Sequence, residues 1–105
     1  MDKLEHMFIL QQDFNHMLQV VYDDEYIKDM SLAAMVELSE ALQHISWKPW
    51  KKNHVNDMDN FKKELIDVWH FIINLSIASG MSSSEVYAMF LKKNDENKAR
   101  QRNGY

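Results

Sequence analysis

The sequence has 105 residues, 46% of them hydrophobic and 27% charged, with two glycines, one proline and no cysteine. That balance fits one small folded helical domain; it is too apolar for a disordered tail and excludes disulfides and thiolate metal sites. The net charge of −4 is unevenly spread, with nine acids against two bases in residues 1–45 and ten bases against seven acids in residues 46–105. An acidic total argues against a nucleic-acid partner, while the division suits an anion held by a cation on one side and basic side chains on the other. No run reaches the length of a membrane span, and the charges scattered through "MDKLEHMFIL" leave no apolar centre for a signal peptide. A cytoplasmic protein without a membrane partner is therefore expected.

From Lys3 to about Tyr22, Leu4, Met7, Leu10, Phe14, Met17 and Val21 recur at helical spacing. They predict an amphipathic first helix with that stripe inward. The charges of "DDEYIKDM" then interrupt the pattern. A second helix is expected from Asp29 or Ser31, either a good N-cap, to about Ile45, with Leu32, Val36, Ser39 and Leu42 or Ile45 inward. Pro49 ends it and makes 46–56 a loop, on which "SWKPWKKN" concentrates two tryptophans and three lysines. A third helix begins near Asn56 or Asp57, carries Phe61, Leu65, Val68, Ile72 and Leu75 as its core face, and stops at Gly80. Ser82 and Glu85 read as a capping box for a fourth helix through Val86, Met89 and Phe90. Residues 98–105 lack an apolar face and are expected to extend as a tail. The fold predicted is a single all-α domain over 1–105, a compact four-helix bundle.

The second and third helices share a chemical feature. Glu37 and Glu40 in "ELSE", and Glu64 and Asp67 in "ELID", are each three residues apart, which puts both acids of a pair on one helical face beside the apolar boundary. Surface carboxylates usually pair with neighbouring lysines such as Lys62 and Lys63, and a single pair of this kind would mean no more than that. Two pairs on successive helices, packed antiparallel, bring four carboxylates together, and their repulsion calls for a cation. Oxygen-only ligands favour Mg²⁺ or Mn²⁺. A di-iron bundle fits less well: Asp67 and His70 have the required spacing, but His44 follows Glu40 by four and leaves the second pair missing. Lys48, Lys51 and Lys52 on the intervening loop are placed to neutralise phosphates, and Trp47 to stack on a base. A helical interaction protein that docks through its charged faces, without metal or catalysis, is the other class compatible with these residues.

Four stretches taken together resemble the all-α nucleoside triphosphate pyrophosphohydrolases, the MazG-like superfamily, and within it the dimeric dUTPase and phage dCTPase/dUTPase group. "LAAMVELSEALQHISWKPWKK" resembles the first metal motif and its Trp/Lys loop, and "FKKELIDVWHF" the second, with 23 residues between Glu40 and Glu64. "KKNDENKARQRNGY" resembles the C-terminal phosphate-binding motif, and "LQQDFN" the N-terminal element that contacts the pyrimidine. The resemblance implies Mg²⁺-dependent hydrolysis of a deoxypyrimidine triphosphate, dUTP or dCTP, to the monophosphate and pyrophosphate, or a broader activity of the same class. It implies metal-binding and catalytic roles for Glu37, Glu40, Glu64 and Asp67. Base contacts would come from Gln12, Asn15, Trp47, His70 and Phe71. Phosphate and sugar contacts would come from Lys48, Lys51, Asn74, Lys93, Asn94, Asn97, Arg100 and Tyr105. A homodimer or higher homo-oligomer is expected, because four helices in a chain this short leave the apolar third helix hard to cover.

Overall fold

The structure, a computed structural model, describes residues 1–52 and 55–104. It is all-α as expected, with four helices: α1 (Lys3–Met17), α2 (Asp24–Leu42), α3 (Met58–Ala78) and α4 (Ser83–Asn103). Each starts at a side chain that accepts a hydrogen bond from a backbone N–H of its own first turn: Asp2 from Glu5, Asp23 from Tyr26, Asp57 from Asn60 and Ser82 from Glu85. These caps satisfy donors that the helix itself leaves unpaired.

The Asp23 cap moves the start of α2 ahead of the expected Asp29 or Ser31. Asp24 and Glu25 fall in its first turn, where their charge complements the helix dipole, so the charged run that interrupts the apolar pattern begins a helix. α1 correspondingly ends at Met17 and not near Tyr22. There Gln19 adopts φ 58°, its N–H reaches the His16 carbonyl, and the Val20 N–H reaches the Asn15 carbonyl. That is a Schellman stop built on a glutamine where glycine is usual. α3 stops the same way on Gly80, at φ 86°. Residues 98–103, expected as an extended tail, continue α4. Most of them are good helix formers, and Arg100 and Arg102 lie in its last turn, where positive charge suits the dipole.

α2 and α3 form the most extensive helix pair. They run antiparallel, for His44 meets Glu64 at one end and Met30 meets Asn74 at the other. α1 packs on α3 and α4 on α1. The chain bends by 102° between α3 and α4. A small core of Phe8, Ile73 and Ile77 joins α1 to α3, with Leu4 and Val86 packed against it.

The inward faces of α1 and α2 differ from those expected. On α1 the buried row is Phe8, Gln11 and Asn15, while Met7, Leu10, Phe14, Met17 and Val21 of the predicted core stripe are exposed. A polar row can be buried there because α3 supplies hydrogen-bond partners for it. On α2 the buried residues are Ala34 and Ala41, and Leu32, Val36 and Leu42 face outward. α3 buries Ile73, Asn74 and Ile77, and Ile72 of its expected core face is exposed. The radius of gyration, 17.1 Å, exceeds the about 13 Å of a closed globule of this length. No single helix among the described residues is long and apolar enough to cross a membrane.

Candidate active site

The alanines that bury α2 also set the position of its acids. Small side chains at 34 and 41 bring the helix close to α3, and Glu37, midway between them on the same face, is partly buried against that helix. Carboxylate oxygens of Glu37, Glu40 and Glu64 all lie within 4.8 Å of one another. Partial desolvation holds the Glu37 carboxyl above its ordinary value, and the neighbouring charges of Glu40, Glu64 and Asp67, together with a hydrogen bond shared with Glu64, push it the same way. Asp67, the fourth predicted ligand, stands outside the 4.8 Å group, although its charge is felt at Glu37. It lies one turn further along α3. His44 Nε2 is 3.4 Å from Glu64 Oε1 at the edge of the cluster. Hard oxygen donors crowded until one of them resists ionisation fit a divalent cation such as Mg²⁺ or Mn²⁺.

Two turns beyond Glu64 on α3 is a cavity of about 430 Å³. Met7, Leu10, Phe14 and Phe71 form its apolar wall, with Gln11 and His70 among its polar groups. Its size and its mostly apolar lining with a few polar groups are those of a small-molecule pocket. A chain of amides runs along its wall, with Gln11 and Asn74 lining the cavity and Asn15 behind them. Asn15, only 2% exposed, donates from Nδ2 to Asn74 Oδ1 at 2.8 Å and to Tyr22 Oη at 3.1 Å. Gln11 donates from Nε2 to Asn15 Oδ1 at 3.0 Å, and the Gln11 carbonyl oxygen lies 3.0 Å from His70 Nδ1.

Of the residues predicted to contact a base, His70 and Phe71 therefore line the cavity, and Asn15 stands behind it. Gln12 does not join them. It is exposed and borders a separate hollow of about 390 Å³ beside Asp13 and His16, whereas its neighbour Gln11 lines the cavity. Gln11 and Asn15 are four apart and share a row with Leu4 and Phe8; that row, noticed in the sequence, would have pointed to Gln11. Tyr22 and Met30 carried no signal of their own.

Trp47 is not among the residues lining the cavity. Its ring meets Trp50 edge to face at 5.9 Å, and Lys48 Nζ lies 5.4 Å from its centroid. Trp50 is 72% exposed, so the pair holds the loop together more than it anchors it to the core. The base of the loop is closed by the Ser46 N–H donating to Asn56 Oδ1 at 2.6 Å and the Asp57 N–H donating to the His44 carbonyl at 2.8 Å. Lys51 is exposed on this loop. Lys93, Asn94, Asn97 and Arg100 are exposed on α4, which packs on α1 and has no extensive contact with α2 or α3. Asn74, expected at a sugar or phosphate, is buried in the amide chain and is among the residues lining the cavity. Tyr105 lies outside the described residues.

The chain is similar to two curated phage proteins. It is 36% identical over 99 residues to a dCTP pyrophosphatase of Enterobacteria phage LZ5, covering 78% of this chain and 58% of that protein. It is 28% identical over 95 residues to a dCTP pyrophosphatase of Enterobacteria phage T4, covering 79% and 56%. A third, a DNA replication protein of Enterobacteria phage T4, is 25% identical over 84 residues, 69% of this chain and 21% of that protein. The chain thus spans less than three-fifths of the length of the two dCTP pyrophosphatases. No solved structure matches it. The dUTPase family model matches residues 3–86, a span that contains α1, the three clustered glutamates and the cavity, and the chain belongs to that family.

Proposed function

We propose that the protein hydrolyses a deoxypyrimidine nucleoside triphosphate, dCTP or dUTP, to the monophosphate and pyrophosphate. The observation that carries this reading is the order of groups along α3. Asp67 follows Glu64 by three, His70 and Phe71 follow Asp67 by three and four, and Asn74 follows them by four and three, so an anion-handling end and an apolar cavity share one stripe. From Glu64 to His70 the helix rises about 9 Å, at about 1.5 Å per residue, a span suited to a nucleotide with its base in the cavity and its phosphates at the carboxylates. The dCTP pyrophosphatases to which the chain is similar support the same substrate class.

Glu37, Glu40 and Glu64 would hold Mg²⁺ or Mn²⁺, with Asp67 completing the set from the next turn. Bound there, such a cation supplies charge neutralisation for the triphosphate and acidifies water. Glu37, partly buried among the clustered carboxylates, is suited to orient the attacking water and take its proton. Phe71 and Phe14 would sandwich the base, while Gln11 and His70 would read its edge. Lys48 and Lys51 from the loop, and Lys93, Asn94, Asn97, Arg100 and Tyr105 from the C-terminal motif, would bind phosphate oxygens and stabilise the leaving pyrophosphate.

A homo-oligomer belongs to this reading. The apolar side chains left open on all four helices, and a radius of gyration larger than a closed globule has, favour burial against a second copy. The α4 of a second copy is then the natural source of the phosphate-binding row.

The test is pyrophosphate release from each common nucleotide in the presence of Mg²⁺. Release from dCTP, dUTP or both, and not from purine triphosphates, is the expected result. Equal turnover of purines and pyrimidines would replace it with a broad pyrophosphohydrolase. No turnover of any, with Mg²⁺ failing to raise the melting temperature, would replace it with a binding protein.

A further inference from the structure

The amide chain at the cavity wall has a direction. Its far end is the Met30 thioether, a sulfur that carries no proton and can only accept. Asn74, 6% exposed, turns its Nδ2 to that sulfur at 3.9 Å. Its Oδ1 must then face Asn15 and accept from it, at 2.8 Å. Asn15 in turn presents Oδ1 to the Gln11 Nε2 donor, at 3.0 Å, which leaves Gln11 Oε1 to face His70 Nδ1 at 3.0 Å. A carbonyl oxygen cannot donate, so His70 must carry its proton on Nδ1.

Tyr22 does not decide the matter, since its hydroxyl could accept from Asn15 Nδ2 or donate to an oxygen in the same place. Reversing every amide would satisfy Asn15 and Tyr22 equally well. It would, however, set Asn74 Oδ1 against the Met30 sulfur, two acceptors in contact in a partly buried place, where an unmade hydrogen bond is costly. Met30 therefore fixes the sense of a chain that ends at the cavity wall.

We propose that Met30, Asn74, Asn15 and Gln11 act as a one-way hydrogen-bond relay. It holds neutral His70 with its proton on Nδ1, so that Nε2 offers a lone pair to an N–H on the edge of the bound base. This rests on the cavity being the base site, and it assigns Met30, which is not among the residues lining the cavity, as a positioning residue that acts through Asn74, which is. A pyrimidine whose facing edge carries an N–H, N3–H in uracil or the N4 amine in cytosine, gains a hydrogen bond; 3-methyluracil, which has no N–H there, does not. The arrangement is the opposite of free histidine, whose neutral ring prefers its proton on Nε2.

Nitrogen NMR of the histidine rings reads the tautomer directly, at a pH well above the ordinary histidine pKa of about 6.5. A His70→Asn variant assigns the signal. The expected result is a protonated Nδ1 and a lone-pair-bearing Nε2 in the free protein, with the Nε2 signal moving when a deoxycytidine or deoxyuridine nucleotide binds. In Met30→Leu, which keeps volume but removes the acceptor, the population should shift toward protonated Nε2. KM should then rise about two- to tenfold with little change in kcat, the range a single hydrogen bond supports. A wild-type ring protonated on Nε2, or a Met30→Leu ring identical to wild type, overturns the relay whatever the enzyme hydrolyses. An Nε2 signal indifferent to nucleotide overturns the base contact. The stated tautomer in a protein that turns over no pyrimidine triphosphate would refute the substrate reading and leave the relay intact.

Discussion

Glu37 is carried into contact with other acids because the alanines on either side of it leave α2 no reason to stay away from α3. Its carboxyl sits above the ordinary glutamate value of 4.5 through partial desolvation first and the charges of Glu40, Glu64 and Asp67 after it. Between that value and the raised one the folded protein binds more protons than the unfolded chain. The metal-free protein should therefore lose stability as pH rises through this window, the reverse of a carboxylate stabilised by a cationic partner. Asp57 behaves in the opposite way: its N-cap hydrogen bonds from Asn60 lower it below 3.8, so its stabilisation is already complete before the Glu37 window opens. Melting curves in a chelator should show the fall, Glu37→Gln should remove most of it, and added Mg²⁺ should reverse it in the wild type only. A flat or rising profile for the wild type would mean that the three glutamates do not share a site.

Among the elements, the loop between α2 and α3 changed most in meaning. Its tryptophans and lysines had suggested a stacking platform beside a phosphate clamp, but Trp47 is occupied by Trp50 at its edge and by Lys48, and it is not at the cavity. Its role in binding is better placed in shaping the loop that carries Lys48 and Lys51. Trp47→Ala should accordingly weaken triphosphate binding and leave the affinity for the nucleoside unchanged. Lys51→Ala should lower kcat with Mg²⁺ still bound, since in the proposed reaction its charge would matter most as pyrophosphate leaves. Calorimetric titration with the nucleoside and the triphosphate separates these effects. An equal loss for both ligands in Trp47→Ala, about 1 to 3 kcal/mol as for base stacking on aromatics, would return Trp47 to the base.

On the scale of the whole molecule, the carboxylates of α2 and α3 and the α4 row proposed to bind phosphate are not packed together within one chain. If a second copy supplies α4, two defective variants can repair each other. Glu64→Gln and Arg100→Ala should each be nearly inactive alone. Mixed and allowed to exchange subunits, they should regain activity, because each mixed dimer assembles one site with both parts intact. No recovery on mixing would confine each site to one chain, and a fully active monomer in sedimentation would remove the oligomer altogether.

The sequence by itself determined the helices, their order, the two acidic pairs and the family, because these depend on local spacing and on residue types that only a few chemistries need. Asp23 and Gln19 show where local reading missed: a charged run became a capped helix start, and a glutamine took the left-handed turn that glycine usually provides. Tertiary structure decided which face of each helix turned inward. Hydrophobic periodicity identifies an apolar stripe but not what lies opposite it, so Met7, Leu10 and Phe14 were expected in the core when they border the cavity, and Gln11 and Asn15 were buried in their place. Those amides could be buried only because His70 and Asn74, 59 residues along the chain from Gln11 and Asn15 respectively, met them with matching donors and acceptors. That pairing is a property of two helices brought together, and neither helix contains it alone.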